Sequence, residues 1–156
     1  MAAAALLAAC GGPGPVQVDD PSRSHLQGAA ESQCPALIDA LPDVVAGQDR
    51  REVTPAGAFA AAWGDPAIVL RCGVDRPAAL VRTSFCLEVN SVGWLATQDG
   101  REVATAQGDE PVVFSTIGRS VYVELTVPVG ERPPGDALAD VAAAVSATTD
   151  EVDPCG

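Results

Sequence analysis

The sequence contains no lysine, and all nine of its basic residues are arginine. Its single histidine is His25, and its aromatic residues are two tryptophans, one tyrosine and three phenylalanines. Each scarcity removes a class of chemistry. Nucleophilic hydrolysis needs a Ser, Cys or Thr beside a base. With His25 in a Gly/Pro-rich stretch and no lysine, neither a Ser–His nor a Ser–Lys pair is available to the rest of the chain. No two of the five cysteines lie two to four residues apart, so their spacing does not read as a zinc site. The same spacing argues against a reactive Cys-x-x-Cys pair. No Gly-rich phosphate loop is present, and no metal or cofactor is expected. After Ala9 no segment approaches the roughly 18 apolar residues of a spanning helix. Positive charge is scarce too: 21 acidic residues against nine arginines give a net charge of −12. That balance argues against nucleic acid and against a direct grip on anionic headgroups, since both reward basic patches.

What is present begins at Cys10. Leu7-Ala8-Ala9-Cys10, followed by Gly11-Gly12, reads as a bacterial lipobox. Cleavage before Cys10 leaves a thiol that takes a diacylglycerol chain and a new amino terminus that can be acylated. Residues 1–9 are then a lipoprotein signal peptide. They lack the basic n-region such peptides carry, so the true start is expected upstream of Met1. Residues 10–31, rich in Gly, Pro, Asp and Ser, read as a flexible tether with His25 as a solvated linker residue. Residues 32–156 read as one globular domain, anchored to the outer face of a cell membrane.

The domain's pattern predicts helix, strands, helix. Ser32 to Ala46 is expected to be helical, with Pro35 at its first position and a kink or early end at Pro42. Leu37, Ile38, Leu41, Val44 and Val45 recur on one face. A hairpin is expected from Ala58–Trp63 through Gly64-Asp65 to Ala67–Cys72. Short strands follow at Cys86–Val89 and Val92–Thr97, with a hairpin turn at Asp99-Gly100 and a return over Arg101–Ala106. Val112–Ile117 and Ser120–Val127 form the clearest hairpin. Its Val121, Val123 and Leu125 should be buried, and Tyr122 and Glu124 more exposed. A second helix is expected from Asp136 to about Thr148. The predicted class is α+β: an antiparallel sheet with both helices on one face.

If Cys10 is lipidated, Cys34, Cys72, Cys86 and Cys155 remain. An even number in an exported domain implies two disulfides, with three possible connectivities. Cys72 ends one predicted strand and Cys86 begins another after a short excursion, while Cys34 begins the first predicted helix and Cys155 follows the last; with both helices on one sheet face, this favours Cys72–Cys86 and Cys34–Cys155. Trp63, Arg71, Trp94 and Arg119 are the candidates for a binding surface, through ring stacking or bidentate recognition of a carboxylate, against the alternative that both tryptophans belong to the core and that Gly64 and Gly73 serve turns. Glu88, Asp99, Glu102 and Glu124 are the candidates for a paired-carboxylate hydrolase or transferase site.

Several of these residues also carry a likeness. The lipobox, Cys34-Pro35-Ala36-Leu37, Leu41-Pro42, Trp63-Gly64-Asp65-Pro66, Ile68 to Val74, Pro77, Gly93-Trp94 and Cys155 resemble the actinobacterial membrane lipoproteins grouped as domain of unknown function 3515. The resemblance spans nearly the whole chain and implies an envelope lipoprotein, with no activity attached. The expectation is a non-enzymatic accessory or binding module for another envelope protein or a cell-wall ligand. The alternative is a carboxylate-dependent envelope enzyme.

Overall fold

The structure, a computed structural model, describes residues 12–19, 26–128, 130 and 134–155. Cys10 and His25, with the readings attached to them, lie outside the described residues.

The first helix, α1, runs from Ala29 to Ala40, earlier at both ends than expected. Ala29-Ala30-Glu31 are strong helix formers and extend it backwards, so Pro35 sits inside it rather than at its start. Pro42 forces Leu41 out of helical geometry, to φ −67° and ψ 141°, and the helix stops there. Val44–Val45 is therefore a short strand (β2), not the helix's last turn.

The other strands are β1 (Val16–Gln17), β3 (Gln48–Arg51), β4 (Val53–Thr54), β5 (Ala60–Trp63), β6 (Ile68–Cys72), β7 (Leu87–Val89), β8 (Val92–Gln98), β9 (Arg101–Glu102), β10 (Val112–Ile117) and β11 (Val123–Val127). The second helix, α2, spans Pro134–Thr148, with Asp136 in its first turn. The main sheet has the order β2-β3-β5-β6-β11-β10-β8-β7, and β9 continues the β7 side of β8. Its pairings are antiparallel.

Three expected hairpins are present. Asp99 and Gly100 both have positive φ between Gln98 and Arg101, as a two-residue type I′ turn requires. Asn90-Ser91 forms a second such turn, joining β7 to β8. The return strand after Gly100 is only two residues long. Beyond it, the Gln98 side-chain amide donates to the carbonyls of Gln107 and Glu110 and accepts from the Gln107 N–H, holding the loop without a ladder.

Both helices cover one face of the sheet. Ala61, Leu70, Leu125, Phe114 and Ala96 stand in one row across five strands and face them. Cys34 and Leu37 of α1 and Leu138, Val141 and Val145 of α2 close over that row. Val121, Val123 and Leu125 are buried as predicted, while Tyr122 and Glu124 are partly exposed. The fold is thus α+β, with both helices packed on one sheet face.

The opposite face has its own cover at one end. Part of the stretch read as tether docks there: β1 runs parallel to β4, pairing Val16 with Val53 and Gln17 with Thr54. Val18 is buried against Ala58 and Ala60, with Val69 beside them. This explains why β5 reads Ala-Ala-Ala-Trp, a poor strand sequence by propensity, yet is buried throughout. Small side chains there let the chain pack on both faces.

The disulfides are Cys34–Cys72 and Cys86–Cys155. This corrects the expected pairing of Cys72 with Cys86 and Cys34 with Cys155. Cys72 ends β6, and Cys86 precedes β7. β11, β10 and β8 lie between them, so four inter-strand steps of about 4.8 Å separate the two strands. That is far beyond the roughly 7 Å a disulfide tolerates between Cα atoms. Cys34 and Cys155 lie on opposite faces. Cys34 belongs to α1 and packs into the core on the helix side, whereas a Cβ on Gly93, facing away from the helices, would collide with both sulfurs of Cys86–Cys155. Closeness in sequence misled because later strands insert between β6 and β7.

Candidate functional site

Neither helix carries a basic residue in its last turn. The cations come instead from the sheet and its connections. Arg50 on β3 donates from Nη2 to the Ile38 carbonyl and from Nη1 to the Leu41 carbonyl, both at 3.1 Å, at the end of α1. Its guanidinium lies 5.9 Å from the centroid of the Trp63 ring. The Trp63 indole N–H donates to the Pro42 carbonyl at 3.0 Å. Arg50 and Trp63 together fasten the chain leaving α1 to the sheet. A cation at these carbonyls also opposes the negative end of the helix dipole.

Arg119 performs the same task for α2. It lies in the connection between β10 and β11, with a side chain only 5% exposed. Nη1 donates to the Thr149 carbonyl at 3.1 Å and Nη2 to the Ser91 carbonyl at 2.9 Å. Glu151 stands 3.7 Å from Nη2. One buried guanidinium thus joins the end of α2, the β7–β8 turn and the C-terminal tail. Beside it, the tail crosses Gly118, whose φ is +69° and whose missing Cβ leaves room for the Asp153 carbonyl.

Arg71 lies directly opposite Glu124 across β6 and β11. Its Nη2 donates to Glu124 Oε1 at 2.6 Å and its Nε to the same oxygen at 3.2 Å. Nη1 reaches the Asp19 carbonyl at 3.3 Å. Both side chains face away from the helices.

The four residues expected to form a binding surface are therefore not brought together. Trp63 and Trp94 are fully buried on the helix side and are not available for stacking on a ligand. Of the two sequence readings of these tryptophans, recognition and core, their burial agrees with the core: a small core needs such bulk. Trp94 Nε1 is buried without a hydrogen-bond partner. Arg119 is buried with both Nη atoms engaged, and Arg71 is paired with Glu124. The carboxylate candidates also separate. Glu124 holds Arg71, and Glu102 Oε1 accepts the Phe85 N–H at 2.8 Å. Glu88 and Glu102 lie opposite Gly93 and Thr97, four residues apart along β8, or about 13 Å. Asp99 occupies the β8–β9 turn.

Sequence reasoning missed the role of Arg50-Arg51. Arg51 Nη1 donates to the Gly64 carbonyl at 2.8 Å, Nη2 donates to the Gly14 carbonyl, and Asp65 lies 4.0 Å away. A cleft of about 290 Å³ opens between Pro13-Gly14-Pro15 and Arg50-Arg51-Glu52. The readable signal was the absence of a basic residue at the end of each predicted helix. Among the described residues no group of three or more His, Cys, Asp or Glu is placed to hold a metal ion. No described helix is long and apolar enough to cross a membrane.

The molecule defined by these features is a disulfide-cross-linked α+β domain in which Arg50, Arg51, Arg71 and Arg119 serve as internal ties. A family model described as Protein of unknown function (DUF3515) matches residues 1–154, and the chain belongs to that family. Neither the curated proteins nor the solved structures contain a match.

Proposed function

We propose that the protein is a lipid-anchored module on the extracytoplasmic face of the cell membrane. Its role is that of a non-enzymatic accessory or binding domain for another envelope protein or a cell-wall ligand. One observation carries the reading. Cys34, Cys72, Cys86 and Cys155 are all consumed in disulfides, which persist in oxidising compartments. The cysteine left over is Cys10, and it ends Leu7-Ala8-Ala9-Cys10. The engaged arginines and buried tryptophans support an accessory role, because the side chains most suited to chemistry are spent on the fold.

Fractionation of native cells with intact-mass analysis tests it. The wild-type chain is expected in membranes with a diacylglycerol-sized addition at Cys10, and Cys10→Ser is expected in the soluble fraction. An unmodified Cys10 in the native protein overturns the proposal. Proximity cross-linking from the native lipoprotein then identifies the envelope component it meets.

A further inference from the structure

Gly12 is two residues from Cys10, and the chain is already docked by Val16. The Val16 N–H donates to the Glu52 carbonyl at 2.8 Å and the Val18 N–H to the Thr54 carbonyl at 2.9 Å. Arg51 holds the Gly14 carbonyl and Arg71 the Asp19 carbonyl. Val18 is 5% exposed. The stretch that reads in the sequence as a spacer is thus a strap laid across β4 to β6.

We infer that this strap sets the domain directly against the bilayer, with the β2–β3 edge of the sheet toward the lipid headgroups and the β7 edge away from them. The inference rests on the lipid anchor at Cys10 proposed above. Its geometry follows from chain reach. Pro13 is three residue steps from Cys10, a span of at most about 10 Å even when fully extended. If instead the chain were free from Cys10 to Leu26, its sixteen steps would give an end-to-end distance of about 22 Å and no fixed orientation. Pro13-Gly14-Pro15 lines the cleft beside Arg50-Arg51-Glu52, so the anchored end emerges next to β3. From β3 to β7 there are six inter-strand steps, about 29 Å. One edge is therefore held close to the headgroups, and the other is presented outward. Charge does not create this arrangement, since Asp43, Asp49, Glu52 and Asp65 are all exposed near the β2–β3 edge. The occupant of that edge is a zwitterionic lipid surface, brought there by the anchor and the short reach.

The test uses the full lipoprotein, with the mass of Cys10 verified, in phosphatidylcholine vesicles carrying a trace of headgroup-labelled acceptor lipid. An azide-bearing residue in place of Asp49 or Glu88, both exposed, carries the donor dye. Energy transfer to the lipid is expected to be several-fold stronger from position 49 than from position 88. A flexible insertion of about 15 Gly/Ser residues between Gly11 and Gly12 is expected to abolish the difference. Val18→Asp, which undocks the strap, is expected to do the same. Equal transfer from both positions with Cys10 modified overturns the strap inference and leaves the anchor standing. A difference that survives the insertion also overturns it. An unmodified Cys10 overturns both readings.

Discussion

Arg119→Met is the sharpest test of the claim that the arginines are internal ties. Methionine keeps an unbranched apolar stem and removes the guanidinium with its donors. Two hydrogen bonds disappear, to the Thr149 and Ser91 carbonyls. Bonds to charged groups contribute about 1.5–3 kcal/mol each, and a buried acceptor left unpaired costs a comparable amount. Recovering the desolvation of a nearly buried guanidinium offsets part of that loss. The balance is a destabilisation of about 3 kcal/mol, a large share of the 5–15 kcal/mol typical of a domain. For a chain of this size it lowers Tm by about 6–12 °C. Urea and thermal unfolding of the oxidised protein, followed by circular dichroism, measure it. Arg119→Lys, able to reach one carbonyl at a time, is expected to recover part of the loss. Arg76→Met, at an exposed position, is expected to stay within about 0.5 kcal/mol of wild type. If Arg119→Met matches Arg76→Met, the guanidinium is not a tie and the reading of the site fails.

Peptide mapping without reduction is expected to yield Cys34 linked to Cys72 and Cys86 linked to Cys155; a Cys72–Cys86 peptide would refute the topology. Replacing both cysteines of either pair with alanine is expected to cost about 4 kcal/mol in the chain-entropy picture, measured by urea unfolding. Gly93→Ala is expected to block the second bridge selectively, because the new Cβ meets both sulfurs. Thiol titration of the denatured variant should find Cys86 and Cys155 free with Cys34–Cys72 intact, and an unchanged thiol count would contradict the close approach.

Much of the fold was legible because it is written in local signals. Asp99-Gly100, the alternation of Val121, Val123 and Leu125, and the helical spacing of Leu138, Val141 and Val145 each act within a few residues. What escaped depends on contacts distant in sequence. The disulfide partners follow strand order, and strand order places β11, β10 and β8 between Cys72 and Cys86. The docking of Val16 and Val18 could not be read from a Gly/Pro-rich stretch. It depends on the flat alanine surface of β5, contributed some forty residues later. The candidate site was read from residue type, but the neighbours of Trp63, Trp94 and Arg119 decide their roles. Arginines suited to gripping a ligand's carboxylate are equally suited to gripping backbone carbonyls at a helix end.

The central pairing of β6 with β11 divides the molecule in a way its covalent map makes explicit. Cys34–Cys72 closes a loop containing most of α1 and strands β2 to β6, and Cys86–Cys155 closes one containing β7 to β11 and α2. Neither bridge crosses the boundary between them. That boundary is held by the β6–β11 ladder, the Arg71–Glu124 ion pair and the packing of α1 on α2. Denatured with both bridges intact, the chain is a dumbbell: two closed rings joined by residues 73–85. Refolding must bring the two rings together across that connector, at the effective concentration it imposes on them. Oxidation therefore secures each lobe, while the joint between them keeps only the strength of its non-covalent contacts.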